Sequence, residues 1–596
     1  MKKSLLLFLF IIPATLSAQY EKNPLLPITN EGYEMVVGKF VKIPDDNGQR
    51  PRINCITFMQ DRMFASVELN GRIYEITDDG DGTYSSELFF DVKSAILANT
   101  GRELASSSGS YHSGLRSVAF HPDFMDNGKF YTSVMEERPA DTTGHHYLSD
   151  IPDHIDADGV LIEWTYDFES SSVDENSYRE LFRVAVPQFD HPIKQIAFNP
   201  YAQPADEDYG LLYLGHGDGN IYNMPDAGGQ NNDGRGKIIR IDPLATDTTD
   251  YSIPPGNPFV GDTAWLDEIY ATGFRNPHSL CFAQDDAEEV HLISSNAGRD
   301  NIEEVNVVTP GENYGWTPRE GTYVQLQPGG LNSGIEALPD DDAQYGYTYP
   351  AAQWSHTSAV FNGFGGLSIV GGYVYTVGET GEKIYLSADF PQSGIVMYNY
   401  LDELLAAKTK LDVGNPDLDE PEELTQAPFM ILNVYFDDDG DEATPPVAKN
   451  NMRDVINDDP DYDGSSRSDL RFGQDMNENI YISSKRNGWI YKIESISPAS
   501  PTAITQSSVM SPRDFELFPN PANPADNLNL YFSSKLDSDV HLQLVNLDGK
   551  VILTKQLISG SQRYNISLSD IQPAPGMYLI QMSNEEFVLN KTLVIQ

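Results

Sequence analysis

Three short stretches carry side chains whose types and spacing could do chemistry. "FDHPIKQIAF" holds Asp190 and His191, "LYLGHGDGN" holds Asp218, and "GFRNPHSL" holds Arg275 and Asn276. An imidazole can take a proton near neutral pH, and it works best when a carboxylate fixes its tautomer. Asp218, at the end of the strand that follows His191, is placed to reach back to it. A guanidinium is a fixed planar cation with several donors, suited to an oxyanion that develops during reaction. A fourth stretch, "SSNAGRDNIEEVNVV", holds a tight turn at Gly298–Arg299. Backbone carbonyls exposed in such a turn are hard, neutral oxygens of the kind Ca²⁺ takes. Each feature also has a plain reading: Arg275 pairs with a neighbouring acid, and His191, ahead of a proline, caps or packs.

The elements that must position these groups recur along the chain. A strand–turn–strand phrase opens at "INCITFM", "LRSVAF", "IKQIAF", "PHSLCF", "LSIVGGYVY" and "DLRFGQD". Units repeating at roughly 60 to 100 residues read as propeller blades, here six of them, closing near Ile493. "GRIYEI" and "GWIYKI" alternate apolar and polar residues, as half-buried strands do. Residues just ahead of a blade's first strand face the central channel, and His191 and Arg275–Asn276 fall there.

The bulk numbers agree with an all-β chain. There are 596 residues with 11% aromatics, 47 Gly and 38 Pro, enough for a large domain and an accessory one. A formal charge of −50 argues against nucleic acid and anionic membrane surfaces, which need basic patches. Residues 1–18 read as a signal peptide, with Lys2 and Lys3 ahead of an apolar run that ends at Ala18. No later segment has the length of a membrane span. Two cysteines, Cys55 and Cys281, are too few for a disulfide framework and read as buried thiols. The propeller is expected over 30–495, a Ser/Pro/Thr-rich linker over 496–514, and a small β-sandwich over 515–596, where "NLDG" marks a hairpin.

Two resemblances follow from these residues. The phrases "GLRSVAFHPDF", "LYLGHGDG", "GKIIRIDP", "GFRNPHSL", "EEVNVVTPGENYGW" and "SIVGGYVY", in this order, resemble the soluble glucose/sorbosone dehydrogenases. Those are six-bladed propellers that use pyrroloquinoline quinone (PQQ) and Ca²⁺. The resemblance implies His191 as the base for the sugar's anomeric hydroxyl and Asp218 as the acid that orients it. It implies that Arg275 and Asn276 lie against the quinone, and that the carbonyls of Gly298 and Arg299 bind Ca²⁺. His112 stands where some members have a Gln close to the cofactor. "PIK" follows His191 where members have small glycines, and "FPQSG" stands where a Lys is expected. Arg467 and Arg471 are candidates for clamping the cofactor's carboxylates. The tail, through "FPNPA", "LVNLDGKVI", "GMYLIQM" and "KTLVIQ", resembles the sorting domain of type IX secretion. That implies export from a Gram-negative bacterium by this machinery, to the medium or the cell surface.

The expected function is thus oxidation of an aldose to a lactone, with a small-molecule sugar as substrate and an external electron acceptor. Two rivals stand beside it. One is a non-catalytic propeller that binds a glycan or a protein. The other is a Ca²⁺-dependent lactonase using Asp218, Asn276 and Glu303. The acidic loops "TDDGDGTY", "FDDDGDEATPP" and "NDDPDYDGSS" read as solvated turns, and His145–His146 as a polar loop without a third ligand.

Overall fold

The computed structural model describes residues 25–26, 28–30, 32–80, 82–105, 114–139, 157–186, 190–219, 233–244, 249–326, 334–356, 366–378, 380–411, 424–438, 440, 444–459 and 466–499. Beyond these it describes 515–518, 520, 522–524, 527–532, 540–546, 550–557, 563–569, 571–583 and 588–595. The signal-peptide stretch, His112 and the His145–His146 pair lie outside the described residues. The chain divides into two compact units, one essentially 30–498 and the other 499–596.

Among the described residues the first unit is mostly β, with six sheets of four or more strands and one of three. The six larger sheets begin with Ile53–Met59, Leu115–Phe120, Ile193–Phe198, Pro277–Gln284, Ile369–Thr376 and Leu470–Gln474. These coincide with the six repeated phrases. Each first strand lies beside the next one, and the sixth lies beside the first.

Burial differs among the outer strands: Ile269–Thr272 and Ala352–Ser355, both fourth strands, are buried throughout. Leu115–Phe120 is buried at every residue, whereas Tyr84–Asp91, a fourth strand, is mostly exposed. A strand covered on both faces tolerates an unbroken apolar run; one at the edge needs polar groups.

The sixth sheet is closed by a strand from the other end of the unit. Tyr33–Lys42 pairs antiparallel with Trp489–Pro498 and parallel with Asn433–Asp437. Met35, Val37 and Val41 alternate inward from it. The linker expected from residue 496 therefore begins later, because Ile496–Pro498 still pair with Tyr33–Met35.

Four of the six first strands carry a bulge near the start. The pairing shifts between Ile53 and Cys55, Leu115 and Ser117, Pro277 and Ser279, and Ile193 and Ile196. An extra residue bends a strand and re-aims its side chain.

The second unit has two sheets. One holds Phe515–Phe518, Asn527–Phe532 and Arg563–Ser567; the other holds Val551–Leu557, Val540–Asn546, Gly576–Ser583 and Val588–Ile595. Leu528, Leu530 and Phe532 from the first share one apolar cluster with Leu542, Leu544, Ile580 and Met582 from the second.

Candidate functional site

Strands in these sheets are antiparallel, so the starts of first strands and the ends of second strands share a rim. His191 precedes Ile193–Phe198, and Asp218 follows Leu212–His216. His191 Nδ1 and Asp218 Oδ1 are 2.6 Å apart, and both residues are buried. The other oxygen of Asp218, Oδ2, accepts from the Trp316 indole at 2.9 Å. The Asp218 backbone N–H donates to the Arg275 carbonyl at 2.7 Å.

Gly217 makes this approach feasible. A Cβ there would stand 2.5 Å from His191 Cβ and 3.1 Å from the Arg275 carbonyl. His191 itself has φ of 51°, a left-handed conformation that costs a non-glycine residue about 1–3 kcal/mol. Asp190 props it, its Oδ1 accepting the His191 N–H at 2.8 Å. Asp190 Oδ2 lies 3.4 Å from His191 Nε2.

Arg275 crosses to the next turn. Its Nη1 donates to the carbonyls of Ala297 at 3.1 Å and Gly298 at 2.6 Å. Its guanidinium also lies over the Trp316 ring, 5.8 Å from the centroid.

The Gly298–Arg299 turn is tied down by one buried carboxylate. Glu320 Oε1 accepts the N–H groups of Arg299, Asp300, Asn301 and Ile302 at 2.8, 3.1, 2.9 and 3.1 Å. Successive amides converging on one oxygen form an anion-holding nest. Gly298 has no room for a side chain, since a Cβ would meet the Ile302 carbonyl at 1.7 Å.

Glu303, next in the chain, is fully buried. It contacts His356 Nε2 and accepts the Ile369 N–H at 2.7 Å. Burial lifts its carboxyl above the ordinary carboxylate range, against the pull of His356.

The expected group of His191, Asp218, Arg275 and Gly298 is thus linked by contacts into one cluster. Asn276 joins it through Ala297, whose N–H donates to the Asn276 carbonyl at 3.1 Å. Two expectations meet different surroundings. Arg467 is held by Asp469, with Nε at 3.0 Å and Nη2 at 2.7 Å. The Gly298 carbonyl assigned to Ca²⁺ already accepts from Arg275.

Trp316 and Glu320 have no role in the sequence reading, where "PGENYGW" serves only as part of a family phrase. A buried indole N–H needs an acceptor, and that requirement is the signal a sequence offers for Trp316. Nothing local marks Glu320, because its four partners are about twenty residues away.

A family model described as "Glucose / Sorbosone dehydrogenase" matches residues 56–372, more than half of the chain. The chain belongs to this glucose/sorbosone dehydrogenase family. The matched span holds His191, Asp218, Arg275, Gly298 and Trp316; Arg467 lies beyond it. A second model, "Secretion system C-terminal sorting domain", matches residues 516–596.

Among relatives, the HIPL2 protein of Arabidopsis thaliana is 31% identical over 296 residues, covering 44% of this chain and 40% of that protein. The Hedgehog-interacting protein of Mus musculus is 28% identical over 216 residues, covering 35% of this chain and 27% of that protein. The chain thus spans under half the length of these curated relatives. The structure of the PQQ-bound aldose sugar dehydrogenase of Streptomyces coelicolor aligns with a TM-score of 0.44 at 16% identity. It covers 79% of this chain and 100% of that one.

Do the residues of this family member fit PQQ and Ca²⁺, the cofactors that the sequence resemblance implies? Arg275 Nε and Asn276 Oδ1 are buried with no hydrogen-bond partner among the described residues. An unsatisfied donor and acceptor on adjacent residues suit an oxygen-rich ring placed against them. The carboxylate clamp fits less well, because Arg467 is committed to Asp469. Ca²⁺ does not fit as the side chains stand. On the Gly298 oxygen it would compete with a guanidinium 2.6 Å away.

Proposed function

We propose that the first unit oxidises the anomeric carbon of an aldose to a lactone, with PQQ as cofactor and an external electron acceptor. The carrying observation is the His191–Asp218 contact of 2.6 Å, with the second Asp218 oxygen held by Trp316. Asp218 engages Nδ1, which leaves His191 Nε2 to take the proton of the anomeric hydroxyl. Asp218 offsets the imidazolium charge that results. Asp190, 3.4 Å from Nε2, stands where a substrate hydroxyl would come. Arg275 and Asn276 would hold the cofactor's reacting edge through the buried Nε and Oδ1 atoms. A quinone, when bound, supplies the two-electron acceptor for the hydride that leaves the anomeric carbon. No step is routed through Ca²⁺.

The succession of first strands, each beside the next and the last beside the first, supports six blades around one axis. The shared apolar cluster of the tail's two sheets supports a sandwich. The sorting-domain match supports export by the type IX machinery to the medium or the cell surface. No helix among the described residues is long and apolar enough to cross a membrane.

The test supplies purified protein with PQQ and Ca²⁺, then glucose and a reducible dye. Sugar-dependent dye reduction is expected. His191→Ala should lower it by about 100-fold or more while the quinone absorption of the loaded protein persists. No change in quinone absorption and no dye reduction would overturn the reading.

A second reading is then favoured, a non-catalytic propeller that binds a glycan or a protein. The commitment of Arg467 to Asp469 speaks for it. The lactonase alternative is supported less, because the oxygens of Asp218 and Glu303 are committed to His191 and His356 respectively.

A further inference from the structure

The second residues of the six first strands are Asn54, Arg116, Lys194, His278, Val370 and Arg471. All six line a single cavity of about 40 Å³, room for about three waters or one small ion. In four of these strands the bulge falls at this residue or just beyond it. The lining contains no carboxylate. In a chain with a formal charge of −50, a hub cavity whose charged lining is all basic calls for a reason.

The cations there are deeply buried, Arg116 to 2% exposure and Lys194 to 4%. Glu68 is the carboxylate paired with Arg116, and its oxygens are shared out. Oε1 accepts Arg116 Nη1 at 2.6 Å; Oε2 accepts Lys485 Nζ at 3.0 Å and Arg52 Nε at 3.1 Å. Asp469 already pairs with Arg467 and Arg486, and Asp190, which attracts Lys194, also sits beside His191.

Arg471 donates from Nη1 to the neutral Leu470 carbonyl at 2.6 Å and rests on the Phe390 ring. Both ring nitrogens of His278, the Ser279 hydroxyl and Asn54 Oδ1 are buried with no hydrogen-bond partner among the described residues. Burial, then mutual repulsion, pushes Lys194 and His278 below their ordinary ranges; burial, then the Arg116 charge, takes Arg471 down to about 9. Buried like charges beside the unpartnered His278 ring and Ser279 hydroxyl are costly unless a further counter-charge completes the cavity.

We propose that the hub cavity is an anion site for a small oxyanion of the phosphate or sulfate class, held by Arg116, Lys194, Arg471 and His278. Two planar guanidinium forks and a point-charge ammonium suit a compact oxyanion. His191, Asp218 and Arg275 are not in its lining, although Arg471, a candidate for the cofactor's carboxylates, is; its test reads binding, not turnover.

The test is thermal unfolding of the full chain in inorganic phosphate, in sulfate, and in chloride at matched ionic strength. A saturable rise in Tm of about 2 °C or more over chloride is expected in phosphate or sulfate. Lys194→Met should abolish that rise. A rise no larger than in chloride, or an equal rise in Lys194→Met, would overturn the assignment. Crystals soaked in selenate give an independent reading if the variant fails to fold. An anomalous peak within hydrogen-bond reach of Arg116 and Lys194 is expected, and its absence from an otherwise ordered hub would sink the idea.

Discussion

His191 is where sequence and strain meet. Its left-handed backbone, with φ of 51°, is held against the local preference by Asp190 on one side and by close packing against Gly217 on the other. That arrangement aims the imidazole at Asp218, and Trp316 in turn fixes Asp218. On the proposed function Trp316 positions Asp218 through one hydrogen bond and also lies under the Arg275 guanidinium. Trp316→Phe keeps the ring under Arg275 and removes one charge-assisted hydrogen bond. Such a bond is worth about 1.5–3 kcal/mol, so kcat should fall about 10- to 100-fold. KM should change little, and the acid limb of the pH–rate profile should move. An unchanged kcat would mean that Asp218 needs no anchor. His191, Asp218, Arg275 and Asn276 were legible because each sits in a short phrase at the edge of a strand. Trp316 was legible only as an aromatic, since its acceptor lies nearly a hundred residues away.

At the scale of elements, the six first strands were readable because continuous apolar runs bounded by turns have few alternative fates. The bulges were not, since an extra residue in a ladder depends on the partner strand. The Gly298–Arg299 turn is similar: its shape comes from Glu320. Glu320→Ala would leave four backbone N–H groups without their acceptor. The expected cost is at least about 3 kcal/mol, the penalty for buried donors left unpaired, read as a lower urea midpoint. A shift worth under about 1 kcal/mol would mean that water replaces the carboxylate. Asp78 accepts the Gly80 N–H at 2.7 Å and Asp79 accepts the Ser85 hydroxyl at 2.7 Å, both at the exposed surface.

At the scale of the molecule, the strand Tyr33–Lys42 joins the start of the first unit to its end. It buries Met35, Val37 and Val41 completely or nearly so, each worth about 1.5–3 kcal/mol. Their sum is comparable with the 5–15 kcal/mol that holds a typical domain. Removing residues 32–42 should therefore lower Tm by about 10 °C or more, or abolish the cooperative transition. A deletion that unfolds at the unaltered temperature would show that the sixth sheet closes without this strand. The two cysteines remain unpaired, so no crosslink would compensate, and burial pushes the Cys281 thiol up to about 12.

The sequence by itself determined the strand phrases, the mostly-β class and the expectation that His191, Asp218 and Arg275 meet. All of these rest on local pattern, on alternation and on residues fixed at strand ends. Only the tertiary structure decided which cations face one another. Arg467 turns to Asp469, whereas Arg116, Lys194 and Arg471 from three separate sheets line one cavity. The physical reason is that charge pairing and burial act through space at a few ångströms. Residues brought that close lie tens to hundreds of positions apart in the chain, and no local spacing records it.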